Sequence, residues 1–478
     1  YLGGDPMNQN KTMIRDLTVG KPLQLVLRFA APLLFGLFFQ QLYSFVDTAI
    51  VGRTLGSAAL AAVGSTGSLN FMVLGLCTGM CSGFAIPIAQ SFGAREEGEL
   101  RRYVFNAAFL CAAVSLLMAV VTGLMNRTFL VWMSTPVDIL DGASAYIGLI
   151  FWGIPATVLY NMAGGILRSL GDSRTPVLFL VLASVINIVL DLVFILVAGM
   201  GVEGAALATL ISQLTAGTGC LIAMKKSFPV LQFRPEEKRL QWRRMGKLLC
   251  IGLPMGLQYS ITAVGSVIVQ SAVNVLGTTY VAAVAAAGKL SIFFTCVFDA
   301  LSATIATFAG QNIGARKVER VSEGLKAAAF IGIVYCVIAF LAVWLLGRSM
   351  LLLFVDAGEA EVLRSARRYL LTSAAFYIPL LFVYLLRLCI QGMGYTPLAV
   401  CAGVAEMIAR MLVGALLIPR FGFAAACFSN PVAWIAADLF LVPAYCHVMK
   451  QLKARMLMGG PGADNERKPR RSSMPLAS

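Results

Sequence analysis

Gln90-Ser91-Phe92-Gly93-Ala94-Arg95 returns as Gln311-Asn312-Ile313-Gly314-Ala315-Arg316, 221 residues further along the chain. The same offset carries Leu55-Gly56 onto Leu276-Gly277, Ala62-Val63 onto Ala283-Val284, Gly67 onto Gly288, Pro176 onto Pro397 and Gly201 onto Gly422. One register kept over most of the chain means two copies of a single unit, each built almost wholly of apolar segments. Duplicated apolar halves of this kind are the build of secondary transporters, whose site lies between the repeats.

Composition agrees. Of 478 residues, 59% are hydrophobic and 13% charged, against roughly 25% charged in soluble domains. Segments such as Pro176–Ala198 and Ala327–Leu346 reach the ~20 apolar residues that cross a bilayer core. We read an all-α polytopic membrane protein with twelve spans at about 24–50, 58–92, 101–125, 143–169, 175–198 and 203–224, then 247–274, 280–313, 324–346, 363–391, 397–418 and 424–448. Six spans per half is even, so both halves enter the membrane from the same side as parallel repeats around a central cleft. The expected division is an N-terminal segment 1–22, an N-lobe 23–224, a linker 225–246, a C-lobe 247–450 and a basic, compositionally disordered tail 451–478. The second span of each half is long enough to require tilt or protrusion. Pro155 and Pro379 occupy similar places in the two halves and predict kinks there.

The 38 basic side chains outnumber the 23 acidic ones, a net charge of +15. Lys225, Lys226, Arg234, Lys238, Arg239, Arg243, Arg244 and Lys247 crowd the linker, and Arg95, Arg101, Arg102, Arg316, Lys317 and Arg320 follow the two motif copies. The opposite loops 198–204 and 274–280 carry no Lys or Arg. By the positive-inside rule the linker and both termini are cytoplasmic. Bases that sit in loops beside spans mark topology, so no nucleic-acid partner is expected. The polar start of the chain lacks the apolar core of a secretory leader. Eleven cysteines scattered singly through apolar segments are packing residues, since Cys77 and Cys81 have no second pair at zinc spacing.

Inserting an Asp, Lys or Arg into the bilayer centre costs roughly 2.5–3.5 kcal/mol, so each such residue is informative. The first half holds Asp47 in its first span and Asp191 in its fifth. Asn187 precedes Asp191 by four residues and shares its helix face, and Thr209 lies just inside the sixth span, one turn after Ala205. Two anionic and two neutral oxygen side chains suit a proton or a small hard cation. Desolvation and mutual repulsion disfavour the doubly ionised pair, which can therefore load and unload a proton; alternatively Asp47, Asn187, Asp191 and Thr209 hold a dehydrated sodium ion. In the second half Glu406 and Arg410 form an i,i+4 pair. Lys289 and Asp299 share a span but lie too far apart to pair, and Arg387 and Asp438 stand in the tenth and twelfth spans. His447 falls at the end of the last span. Gln40, Tyr43, Tyr160, Asn161, Glu406 and Arg410 are candidates for lining a substrate cleft. No paired nucleophile and base, metal motif or cofactor fingerprint is legible, so no enzyme activity and no cofactor is expected.

The segment PLLFGLFFQQLYSFVDTAIVGRTLGSAALAAVG at 32–64, the repeated Gln-x-x-Gly-Ala-Arg and LRSLGDSRTP at 167–176 resemble the multidrug and toxic compound extrusion (MATE) family, its bacterial members most. That resemblance implies a monomeric transporter of the inner (cytoplasmic) membrane that exports small lipophilic organic cations in exchange for Na⁺ or H⁺. It places Asp47, Asn187, Asp191 and Thr209 at the family's N-lobe cation site, with Ala205 contributing a backbone carbonyl. Residues 258–263 lack the acid that some members carry in the seventh span, which puts coupling in the N-lobe. The alternative within the same superfamily is a flippase for lipid-linked saccharides, with Arg387 and Arg410 facing a pyrophosphate.

Overall fold

The computed structural model describes residues 15–133, 135–356 and 358–458. Among them the chain is helical, without strands. The first half comprises α1 (Pro22–Leu55), α2 (Ser57–Ser65), α3 (Gly67–Gly93), α4 (Glu97–Trp132), α5 (Val137–Trp152), α6 (Ile154–Ser169), α7 (Arg174–Leu192) and α8 (Gly201–Ser227). The second comprises α9 (Trp242–Asn274), α10 (Thr278–Gly314), α11 (Val318–Leu351), α12 (Ala360–Ala375), α13 (Tyr377–Gly392), α14 (Thr396–Leu412), α15 (Ile418–Phe421) and α16 (Phe423–Met458). Ten of the described helices are long and apolar enough to cross a membrane, or twelve spans when each bent pair is counted as one.

The bent pairs fall where the prolines predict them. α5 and α6 meet at 44°, and α12 and α13 at 52°. Pro155 and Pro379 stand at the starts of α6 and α13. Neither can donate the backbone bond that would carry the preceding helix onward. A second repeated device was not legible: a π-helical turn follows α7 at Val193–Val197 and follows α14 at Val413–Leu417. The copies differ at the second span. The first half breaks at Thr66 between α2 and α3, whereas α10 is one helix of 37 residues, longer than a bilayer needs.

Buried side chains gather into two large clusters, one per half. Each half's first helix also reaches across, since Val26 and Ala30 of α1 join the second cluster while Met245 and Leu248 of α9 join the first. Outer faces are apolar, as lipid requires: Leu116, Leu117, Phe330, Ile338 and Leu345 are all well exposed. The lobes touch through small residues. Gly79 and Gly83 of α3 lie against the backbone of Gly252 and Gly256 of α9, two G-x-x-x-G surfaces packed face to face.

The repeated motif lies at that junction. Gly93 packs on the backbone of Gln311 and Gly314 on that of Gln90, so the copies meet across the pseudo-twofold axis. Arg95 and Arg316 both have φ 58°. Bonds from Glu96 N to Ser91 O (3.1 Å) and from Lys317 N to Asn312 O (2.8 Å) close matching Schellman caps. Toward the opposite end nothing lies within 4 Å of a Cβ placed on Gly64, Gly67 or Gly288, while Phe45 of α1 meets Phe354 of the second half at a centroid distance of 5.8 Å. The lobes are thus joined at the basic end through the two copies of the motif.

The linker is docked on α4. Arg101 Nε donates to Glu237 Oε2 at 2.7 Å, Asn106 Nδ2 to Arg239 O at 3.3 Å, and Gln241 N to Asn106 Oδ1 at 2.9 Å. The Arg101 guanidinium, aided by the Arg234 N–H, holds the buried Glu237 carboxyl below the usual carboxylate range. The helix that begins the expected tail continues to Met458; the rest of 451–478, like residues 1–14, lies outside the described residues.

Candidate functional site

Three helices bring the N-lobe candidates together. α1 supplies Asp47, α7 supplies Asn187 and Asp191, and α8 supplies Ala205 and Thr209. Close packing of α1 on α7 is permitted by Gly36, where a Cβ would meet Val177 at 2.9 Å. Asp191 is wholly buried and Asn187 nearly so, while Asp47 is half-buried. Asp47 and Asp191 lie close enough to share a hydrogen bond once one of them carries a proton.

Side-chain chemistry fixes which atoms beside that pair are left without a donor. Thr209 donates its hydroxyl proton to Ala205 O at 3.1 Å, leaving its oxygen to accept from Asn187 Nδ2 at 3.4 Å. Asn187 thereby spends its amide nitrogen and keeps Oδ1 free. Asp47 Oδ1, Asn187 Oδ1 and both carboxylate oxygens of Asp191 are buried and accept no hydrogen bond. Oxygens in this number without donors suit a proton or a small hard cation, so the residues fit the expected coupling ion. A cavity of about 10 Å³, room for roughly one water, is lined by Asn187 and Thr209.

That cavity also contains side chains which sequence reading missed. Ser184, Ser212 and Gln213 line it beside Tyr43, and Gln213 Oε1 is another buried acceptor without a donor. Gln213 lies four residues after Thr209, so the helical spacing was available as a signal. Tyr146 of α5 is buried within electrostatic reach of Asp47, Tyr43 and Asp191, and no spacing rule pointed to it.

The cleft candidates divide. Gln40 lies within hydrogen-bonding reach of Tyr43, and Tyr43 lies within electrostatic reach of Asp47. Tyr160 OH donates to Pro176 O at 3.4 Å, and Asn161 Nδ2 to Thr157 O in its own helix at 2.9 Å. Glu406 and Arg410 pair at 3.0 Å, but Glu406 is also held by Arg387 at 2.8 Å. Arg410 Nε contacts Asn430 Oδ1 at 3.4 Å, and Asn430 Nδ2 donates to Tyr369 OH at 3.0 Å. This buried network joins α12, α13, α14 and α16 inside the C-lobe. Asp438 lies near Arg387 and Glu406, and its Oδ1 has no partner. Lys289 makes no ion pair among the described residues and stands near Asp356 and Glu359. His447 contacts Gln451 at 2.8 Å. All eleven cysteines are free, and eight are buried.

Known proteins complete the picture. A sequence profile of the MatE family matches residues 32–193 and again 254–416, one match per repeat. The chain is similar to the probable multidrug resistance protein YoeA of Bacillus subtilis, 28% identical over 359 residues that cover 73% of this chain and 77% of that one. It is similar at the same identity, over 362 residues, to the probable multidrug resistance protein YpnP of the same organism, covering 76% and 80%. A crystal structure of MATE in complex with MaL6 superposes with a TM-score of 0.86 at 21% identity, over 93% of this chain and 99% of that one. With two lobes in one register, acids buried where the helices of the first lobe converge, and a profile that fits both halves, the chain belongs to the MatE family and is a MATE efflux transporter.

Proposed function

We propose that this chain exports small lipophilic organic cations in exchange for H⁺ or Na⁺, with the coupling ion at Asp47, Asn187, Asp191 and Thr209. One observation carries the reading: four buried oxygens on α1 and α7, three from Asp47 and Asp191 and one from Asn187, have no donor. When bound, the ion supplies the positive charge that two neighbouring carboxylates lack in a dry chamber. The basic end is cytoplasmic, in a cell's inner membrane.

When the outer side is accessible, Asp47 and Asp191 meet ions arriving from outside, while Asn187 and Thr209 hold the neutral oxygens in place. Ion binding draws α1 toward α7 and α8, which alters the wall that the drug contacts. Aromatic side chains from both lobes face each other there. Phe38 meets Phe293, and Phe71 meets Tyr259, at centroid distances of 5.8 and 6.2 Å. Such rings offer faces to organic cations. Exchange requires that the ion prefer the conformation that releases drug. One elementary charge moving inward gains about 2.3 kcal/mol per 100 mV, enough to bias a rocking equilibrium. An anionic lipid-linked cargo is disfavoured, because Arg387 and Arg410 are both engaged with Glu406.

Ethidium efflux from proteoliposomes with separately imposed pH and sodium gradients tests the reading. At least one inward gradient is expected to accelerate efflux; equal rates with and without both gradients would overturn it.

A further inference from the structure

The segment Arg15–Gly20, just before α1, is not a loose tail. It lies in the seam where the lobes meet at the basic end, and both lobes hold it. Leu17 is 1% exposed and packs among Phe29, Leu33, Val177, Ala300 and Phe308, side chains from both halves. Leu17 N donates to Gln311 Oε1 at 2.9 Å, and Asn312 Nδ2 donates to Leu17 O at 3.3 Å. Lys317 Nζ donates to Thr18 O and Arg320 Nη2 to Gly20 O, each at 2.9 Å. On the other lobe Gly171, at φ +85°, lies against the Arg15 carbonyl so closely that no Cβ would fit. Asp16 accepts from Thr18 N and Thr18 Oγ1 at 2.8 and 2.6 Å, which shapes the turn.

Gln311 is the pivot. Its Nε2 donates to Ser169 O of the first lobe at 2.8 Å while its Oε1 holds the segment. The equivalent Gln90 makes the matching bond to Gly392 O of the second lobe at 3.3 Å. The equivalent stretch before α9 is committed elsewhere, docked on α4 through Asn106. The pseudo-symmetric closure is thus reinforced on one side only.

We propose that Arg15–Gly20 is a latch that stabilises the state closed at the basic end and must leave its seat before the lobes part there. Several of its bonds run to one lobe from a segment pinned against the other, so rocking breaks them together. This rests on the alternating-access part of the proposed function and not on the identity of the coupling ion.

The test uses the full chain in lipid nanodiscs, with Cys250, Cys401 and Cys446 replaced by Ser. Spin labels are placed at Glu96→Cys and Glu319→Cys, exposed positions on opposite lobes at the basic end. Leu17→Asp and, separately, the surface change Lys317→Gln are compared with the parent by pulsed dipolar distance measurement. Leu17→Asp is expected to raise the long-distance population on the order of tenfold, and Lys317→Gln to raise it less, in the same direction. Should Leu17→Asp fail to fold, the Lys317→Gln shift alone decides. If ethidium or a pH step lengthens the distance but neither variant does, the latch is overturned while rocking stands. If no condition lengthens it, both fall.

Discussion

Asn187 shows how one side chain gains its direction from a neighbour. Thr209 takes the amide nitrogen because its own proton is already given to Ala205, and Asn187 Oδ1 is left without a donor. The same logic governs Glu406, which two guanidiniums hold so that a buried carboxylate carries no unpaired charge. Nearer the basic surface, Glu237 offers a pH test. Its carboxyl sits below its ordinary value because Arg101 and the Arg234 N–H favour the ionised form. A depressed value stabilises the fold above the unfolded glutamate value of about 4.3 and ceases to do so as pH falls through the folded value. Thermal unfolding in detergent should therefore show the parent above Glu237→Gln at pH 7, with the gap closing below about pH 4; a gap independent of pH would contradict this. Asp47, Asn187 and Asp191 were legible in the sequence because a polar group in an apolar run is costly and stands out. Arg387 as the second partner of Glu406 was not, since 19 residues of helix and turn separate them and only packing brings them together.

At the scale of elements, proline and glycine carried most of the legible information. Pro155 and Pro379 marked the two bends, and the Gly-Ala-Arg copies marked two helix ends. The π turns were hidden because no residue type demands them. Their occurrence after Leu412 as well as after Asp191 assigns them to the scaffold, not to the acid. The α3–α9 contact makes a sharp comparison possible. A side chain on Gly83 would enter the backbone of Gly252, whereas Gly64 has open space. Gly83→Leu should lower the unfolding temperature by several degrees, overpacking costing about 1–3 kcal/mol or more. Gly64→Ala should leave it unchanged or raise it. Equal effects at the two sites would remove the glycine contact from the account.

For the whole molecule, the duplicated register predicted two lobes, and the structure adds that each lobe's first helix begins against the other lobe. Such an exchange makes the halves rock as coupled bodies around a junction built from the repeated motif. Upon that symmetric frame the chemistry of the described residues differs between lobes: two adjacent acids without a basic partner in the first, a Glu406 carboxylate held by two arginines in the second. The most direct measurement is efflux driven by the active gradient from proteoliposomes carrying Asp47→Asn or Asp191→Asn protein, with unfolding temperatures confirming that both variants fold. The account predicts that each variant falls to the rate seen without a gradient; gradient-driven efflux at the parent rate in both would contradict it.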